Sequence, residues 1–349
     1  MLRVKIIGRD YIGWSIDKDY KNIQQFCQSV SFVRVVSNPF AADVFIYVWQ
    51  DLIFHKRYWG YLFLIKLYKL INKPKKVISF ITNDIRNQVN FVDKNWPVDL
   101  WVSPATQITK FLEEKKFPAL TIPFYVPTDI FSRSTVKKEE LIKALNLNES
   151  FLANKILIGS FQRDSLGTDL NQPKWQKNPD LLIEILKTLP VNDFVLVLAG
   201  PRRHYLVKKC RELNLPFVFV GDSSYFASNQ DDILINNLND ETIAKLYNLI
   251  DLYIVNSQSE GGPKAILEAA LSQTLICSTP VGLAEDFLHP DLIYTKDKYT
   301  LIKDIFTKFK AKSVSLKAYR DYNYNRAKIL LPVNYNRLYD NLFRQINEN

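Results

Sequence analysis

Short apolar runs alternate along this chain with segments whose apolar positions recur every three or four residues. Leu2-Arg3-Val4-Lys5-Ile6-Ile7-Gly8 reads as a strand ending in glycine, Val77-Ile78-Ser79-Phe80-Ile81-Thr82 as a strand running into Asn83-Asp84, and Asp251-Leu252-Tyr253-Ile254-Val255 as a short buried strand. Helical spacing follows over Ala265-Ile266-Leu267-Glu268-Ala269-Ala270-Leu271, and again from about Pro332 to Asn349 at Tyr335, Leu338, Leu342 and Phe343. The alternation predicts an α/β protein with parallel sheets. At 349 residues the chain exceeds what one core serves, so two domains are expected, and 47% hydrophobic content fills both. No internal repeat or low-complexity tract interrupts the pattern, and no stretch reaches the roughly 18 uninterrupted apolar residues of a membrane span.

The run Ser257-Gln258-Ser259-Glu260-Gly261-Gly262-Pro263-Lys264-Ala265-Ile266-Leu267-Glu268 joins that last short strand to the helix after it. Pro263 falls where a first helical residue would be, with no donor to lose. Glycines before it remove Cβ bulk and let a ligand approach the N–H groups and partial positive charge of a helix N-terminus. Glu260 then stands at the lip of a pocket, and Glu268, about two turns on, returns to roughly the same helix face. Such a turn suits a phosphorylated sugar donor, one carboxylate taking sugar hydroxyls and the other a ribose. Alone, a pair at this spacing is more often incidental, a solvated turn residue and an ordinary exposed helix carboxylate. Strand, Gly-Gly-Pro turn and small-residue helix occurring in order favour a site. The chain has ten glycines, below the usual share of about 7%, and most fall at predicted strand ends or turns: Gly8, Gly13, Gly159, Gly200, Gly221, Gly261, Gly262 and Gly282.

At these residues the chain resembles the retaining GT-B glycosyltransferases of family 4, whose signature is a Glu-x7-Glu element in a block like S-x-x-E-G-x-P-x-x-x-x-E-A. Here that block is Ser257 to Ala269, and Thr279-Pro280-Val281-Gly282 resembles the family's following strand and loop. Ile156-Leu157-Ile158-Gly159-Ser160-Phe161-Gln162-Arg163 is similar to the strand and phosphate-binding turn that begin the family's second domain. Lys177-Asn178-Pro179-Asp180-Leu181-Leu182 resembles its K-G-x-D-x-L helix start, with Asn178 in place of glycine. Val195 to Gly200 and Leu246 to Asp251 match further segments, and the resemblance is strongest from about residue 155 to 290. It implies two Rossmann-like domains with parallel sheets facing across a cleft: an acceptor domain over residues 1–130 and a donor domain over 151–330. A linker over 131–150 would join them, preceded by the proline-bounded run Ile122 to Phe131, and a C-terminal helix over 331–349 would cross back to the first domain.

The resemblance also implies roles. Arg163 and Lys177 would clamp the diphosphate as charge develops on it, with Lys174 competing for the second position because the insert Asp164 to Pro173 changes the loop length. Glu260 would hold the donor sugar's hydroxyls and orient C1 for attack on the face the diphosphate leaves, and Glu268 would bind the ribose. Gly261, Gly262, Pro263 and Gly282 would contact the donor, and Leu238 with Asn239 its base. Gly13-Trp14 sits where the family's first-domain glycine-rich loop occurs, Gly13 on the donor side and Trp14 on the acceptor side. Many members place a histidine at the end of a first-domain strand; here Asn83-Asp84 stands there, with Asp84 a candidate acceptor-side base. His55, His204 and His289 have no partner in sequence. No metal or cofactor is implied, the nucleotide-sugar being a co-substrate.

Charge changes the picture of the first domain. Through Arg133 there are 19 Lys and Arg against 11 Asp and Glu, which is +8 of the chain's net +10. Between Asp51 and Asp84 no acidic residue occurs, and Lys66, Lys69, Lys73 and Lys76 keep three-and-four spacing among aromatic and leucine residues. This fits an interfacial helix on an anionic leaflet, where each basic residue contributes about 1 kcal/mol. A Rossmann-type helix with solvated lysines is the alternative. Nucleic acid is not expected, since no recognition-helix, RNP or OB-type pattern accompanies the basic stretch. With no charged-then-apolar leader, and with Cys27, Cys210 and Cys277 far apart and without metal-ligand spacing, a cytoplasmic setting is expected, peripheral on the inner face of the plasma membrane, without disulfides or structural zinc.

Two readings follow. The first is a retaining transferase moving a hexose or N-acetylhexosamine from a UDP- or GDP-sugar to a glycan or lipid-linked acceptor, as in cell-envelope polysaccharide synthesis. The second is a catalytically silent binding or regulatory protein of the same fold, with a GT-B-like epimerase or phosphorylase as a further alternative. Glu260, Glu268 and Arg163 together favour the first.

Overall fold

The computed structural model describes residues 1–9, 15–71, 75–86, 88, 91–228 and 230–348, with the side chains of 15, 298 and 348 excepted. The chain forms two compact units, Met1–Tyr125 with Leu330–Asn349, and Val126–Ile329.

The first unit holds strands β1 (Leu2–Ile7), β2 (Val33–Val35), β3 (Val44–Tyr47), β4 (Lys76–Phe80), β5 (Leu100–Ser103) and β6 (Ala119–Thr121), in the order β2-β1-β3-β4-β5-β6. Every neighbouring pair is parallel. β3 and β5 are buried along their whole lengths, as strands covered on both faces must be. The C-terminal helix Pro332–Glu348 belongs to this unit. Tyr335 and Tyr339 stack on Phe26 with ring centroids 5.1 and 5.3 Å apart, and the Tyr335 hydroxyl donates to the Phe124 carbonyl at 2.8 Å.

The second unit holds β7 (Ile156–Ser160), β8 (Phe194–Ala199), β9 (Phe217–Val220), β10 (Leu252–Val255) and β11 (Leu275–Ser278), all parallel, in the order β11-β10-β7-β8-β9. Its core packs Leu181, Leu182, Ile185 and Leu186 of the helix Pro179–Lys187 with Leu196 and Leu198 of β8. Chain order reverses between β7 and β10, so connections leave these adjacent strands toward opposite faces. The crevice beyond their C-terminal ends is where open α/β sheets bind ligands.

Some boundaries differ from those expected. Residues 131–150 are not a free linker: they carry the helix Lys138–Ala144, with Leu141 and Ile142 buried, and belong to the second unit. Asn248 holds them there, accepting from the Ser134 amide at 2.7 Å and donating to the Ser132 carbonyl at 2.9 Å. The strand near Thr279 ends at Ser278, leaving Thr279-Pro280-Val281-Gly282 as the loop after it.

The four lysines do not share one helix. The helix runs Trp59–Leu70 and carries Lys66 and Lys69, both exposed, whereas Lys76 opens β4; Lys73 lies outside the described residues. The helix closes at Ile71, whose amide caps it on the Leu67 carbonyl, and a proline at position 74 of the sequence is a general signal against helix continuing through that stretch. Among the described residues no helix is long and apolar enough to cross a membrane. Cys27, Cys210 and Cys277 are buried free thiols.

Candidate active site

The exit of β10 is fixed before it turns. Asn256 and Ser257 are buried, and Thr279 donates its hydroxyl to the Ser257 carbonyl at 2.6 Å and its amide to the Val255 carbonyl at 3.0 Å. The chain then passes through Glu260-Gly261-Gly262 to Pro263, which caps the helix Lys264–Leu271 with extended backbone (φ −65°, ψ 110°) instead of forming its first residue. Gly261, Gly262 and Pro263 are buried. Gly282 lies against this turn with φ +48°, and a Cβ there would stand 2.8 Å from the Gly261 carbonyl oxygen and 2.9 Å from Gly262 Cα. Its bareness therefore lets the turn pack, a role distinct from the donor contact expected of it.

Glu260 Oε1 accepts from Lys177 Nζ, and from the Ser257 hydroxyl at 2.8 Å. That hydroxyl also lies 3.2 Å from Gln162 Oε1, so one proton serves two acceptors. Lys177 ends the short turn Trp175–Lys177, and Asn178 after it adopts the left-handed conformation (φ 46°, ψ 56°) before Pro179 starts its helix. A glycine is at ease there, and asparagine tolerates it better than other residues with a side chain. This accounts for Asn178 in the family's glycine position. The Asn256 side-chain amide donates to the carbonyls of Lys177 at 2.6 Å and Asn178 at 2.8 Å, and Gln162 donates to Asn256 Oδ1 at 3.3 Å. Three exits, from β7, from β10 and from the turn before Pro179, are thus tied into one network.

Positive charge gathers around this carboxylate. Arg163 is half-buried, and burial lowers its pKa, assisted by Arg202 and opposed by Glu260 and Asp231. Lys174 is lowered chiefly by burial and next by Arg163 and Lys177, with Glu260 opposing. Arg202 is forked onto Asp231 at 3.0 and 2.7 Å. Like charge therefore crowds two of these groups: Arg202 opposes the charged form of Arg163, and Arg163, Lys177 and Arg202 oppose that of Lys174. A polyanion would relieve that repulsion. Both lysines that competed for the second cationic position belong to the cluster, and Lys177 is the one on Glu260.

Glu268 is half-buried and its Oε2 accepts from the Tyr247 hydroxyl at 3.0 Å. Burial raises the Tyr247 pKa well above the phenolic range, with Tyr253 and Glu268 adding to it, so the hydroxyl stays a donor. Tyr247 is set by Phe161 and Tyr253, each with ring centroids 5.2 Å away. Leu238 is half-buried. Asn239 accepts from the Thr242 amide at 2.9 Å as the cap of the helix Asp240–Leu249, so its carbonyl is committed to the helix, not to a base.

In the first unit, Asn83 is exposed while Asp84 is buried and accepts from Arg86 Nε at 2.9 Å and Nη2 at 2.8 Å. Both oxygens of this carboxylate are thus taken up by the Arg86 fork, a local ion pair, which corrects the candidacy of Asp84 as an acceptor-side base. Gly13 and Trp14 lie outside the described residues. The histidines have local roles: His55 and His289 accept from the amides of Arg57 and Asp291 at 3.3 and 3.2 Å, and His204 is buried 3.6 Å from Asp232.

Several residues were not found from sequence. Asn256 and Arg202 carry no motif of their own, and Gln162 stands in the phosphate-type turn with no role expected of it. Asp164, placed in an insert, is buried and faces Arg203 Nε at 3.1 Å, while Arg203 Nη2 donates to the Ser160 hydroxyl at 2.8 Å. Burial pushes Asp164 up and Arg203 down, and each is the other's main opposing charge. The amides of Asp164 and Ser165 donate to the Arg202 carbonyl at 3.1 Å, so this pair anchors the loop that bears Arg163. The clue in sequence was an Asp directly after the Arg of the phosphate-type turn, answered by Arg203 beyond the next strand.

Residues 170–326 match the model of the family described as glycosyl transferases group 1. Over whole chains the fold is similar to sucrose-phosphate synthase from Thermosynechococcus elongatus (TM-score 0.69, 12% identity, 100% of both chains). It is also similar to Anabaena HepE in complex with UDP (0.69, 13%, 99% of this chain and 100% of that one) and to a glycosyltransferase from Rickettsia africae (0.67, 14%, 100% and 99%). At these identities the likeness shows the fold, which is GT-B. No curated protein matches the sequence.

Proposed function

We propose, from the premise that residues 170–326 are a group 1 glycosyltransferase domain and the chain therefore a glycosyltransferase, that it moves a hexose or N-acetylhexosamine from a UDP- or GDP-sugar to a glycan or lipid-linked acceptor with retention of configuration. The observation that carries this reading is the gathering of Arg163, Lys174, Lys177 and Arg202 about Glu260 at the exits of β7 and β10. A UDP complex of the similar Anabaena protein supports uridine as the base.

The steps follow from the side chains. A donor diphosphate draws Lys177 Nζ away from Glu260 Oε1, freeing that carboxylate to accept from the sugar hydroxyls. When the bond from C1 to the β-phosphate oxygen breaks, the new negative charge falls among Arg163, Lys174 and Lys177, whose mutual repulsion has been waiting for an anion. Glu268, braced by Tyr247, accepts from the ribose hydroxyls. The acceptor oxygen attacks C1 on the face the phosphate leaves, and the departing phosphate takes the acceptor's proton. Asp84, committed to Arg86, is not needed for it. Side-chain cations meet the leaving charge in this scheme, so it calls for no divalent metal. Asn83, with Trp14, remains the acceptor-side candidate, and the setting proposed is cytoplasmic, at the inner face of the plasma membrane.

A thermal-shift panel of UDP, GDP, ADP and their sugars tests the donor assignment. A ligand at a hundred times its Kd stabilises the fold by about 2.7 kcal/mol. Uridine or guanosine diphosphate should raise the melting temperature, and the anomeric configuration of the product, read by NMR, should match that of the donor. No shift with any nucleotide would overturn the proposal.

A further inference from the structure

The helix Trp59–Leu70 shows solvent a face that is more apolar than charged. Trp59, Phe63, Lys66 and Leu70 follow the spacing i, i+4, i+7, i+11, which lines them up along one side, with Leu67 and Ile71 beside them. All six are exposed, Phe63 by 69% and Leu70 by 80%, while Leu64 and Ile65 on the other side are buried. Single exposed hydrophobic residues are ordinary; four on one short helix and a fifth at its C-cap make a patch. Trp59 is fixed within it, its indole N–H donating to the Phe54 carbonyl at 3.0 Å, so the ring is presented with its polar atom satisfied. The charge alongside is of one sign: Lys56, Arg57, Lys66 and Lys69 are exposed, and no acid occurs between Asp51 and Asp84.

We infer that this line is a docking surface for an anionic lipid bilayer, with Trp59, Phe63 and Leu70 entering the boundary between headgroups and acyl chains and Lys66 and Lys69 meeting lipid phosphates. The inference rests on the reading that the protein works at a membrane and changes its physical basis, from a face of four lysines to an apolar line flanked by two. An amphipathic helix lying in the interface needs both parts, apolar area for depth and basic residues for attraction to the leaflet. A second copy of this chain is a poorer occupant, because two-fold pairing of the face would bring the lysines of both copies into one interface with no acid of this stretch to answer them.

The test is sedimentation of the full-length protein with vesicles of phosphatidylcholine alone and of phosphatidylcholine mixed with phosphatidylglycerol. Binding to the mixed vesicles should exceed that to the neutral ones at least about tenfold and fall with salt. Phe63→Ser with Leu70→Ser should weaken it at least about tenfold, and Lys66→Gln with Lys69→Gln should remove the preference for anionic lipid. Both pairs are exposed, so melting temperature and UDP affinity should not change. Those controls separate this inference from the donor assignment, since loss of UDP binding with vesicle binding intact would sink only the latter. The inference fails if the wild type does not sediment with mixed vesicles, if the Phe63→Ser, Leu70→Ser protein sediments like the wild type, or if the face mediates a concentration-dependent dimer that this variant abolishes.

Discussion

Asn256, at the exit of β10, donates its side-chain amide to the backbone carbonyls of both Lys177 and Asn178, at 2.6 and 2.8 Å. One buried side chain thereby sets the backbone that carries the cation facing Glu260. Asn256→Ala should lower stability by about 1–3 kcal/mol, the usual cost of leaving partly buried polar groups without partners. It should also raise the KM for the donor, because Lys177 would no longer be held. Asn256→Asp should be worse than alanine, since it points an acceptor at two acceptors. Urea unfolding and donor kinetics check both; unchanged stability and KM in the alanine variant would remove the network from the account.

Gly282→Ala should cost about 1–3 kcal/mol through backbone strain alone. The left-handed backbone and the approach of Gly261 and Gly262 leave no room for the new methyl. Because the turn it presses is the one after Glu260, nucleoside diphosphate affinity should fall with it. Calorimetry that finds wild-type affinity in Gly282→Ala would show that the turn tolerates displacement.

Asp164→Ala should be among the most damaging single changes, at about 3–5 kcal/mol, since it leaves Arg203 charged and buried without its carboxylate. Replacing both residues with apolar ones of similar volume should recover much of that loss while loosening the loop that bears Arg163. Chemical denaturation of the two variants distinguishes this from a pair that is merely ornamental.

Donor binding should weaken as pH rises through the lowered pKa of Lys174. Burial, then Arg163 and Lys177, depress that pKa in the free protein, and a bound diphosphate favours the charged form, so binding takes up protons. Titration in buffers of different ionisation heat should report that uptake, and Lys174→Gln should abolish it. Proton release on binding would reverse the assigned sign.

The donor side was legible because its chemistry is written contiguously. Glu260, the glycine turn and Glu268 span one strand-to-helix junction, and Asn178 betrays its left-handed position by standing where a glycine is usual. What joins those pieces was not legible. Gln162, Asn256 and Lys177 meet only because β7 and β10 are neighbours in the sheet although more than ninety positions separate Gln162 from Asn256. Asp164 and Arg203 are likewise brought together by the sheet. The basic stretch was misread where periodicity was carried past Pro74, and its exposed apolar line was invisible because spacing alone does not tell which face the sheet covers.

The most direct test of the central claim is turnover of UDP- and GDP-sugars by the purified protein and by Glu260→Gln, following release of the nucleoside diphosphate. The account predicts that the wild type releases it from at least one donor, and that Glu260→Gln still binds the nucleotide but is slower by about 10²-fold or more. A Glu260→Gln protein that turns over as fast as the wild type would contradict it.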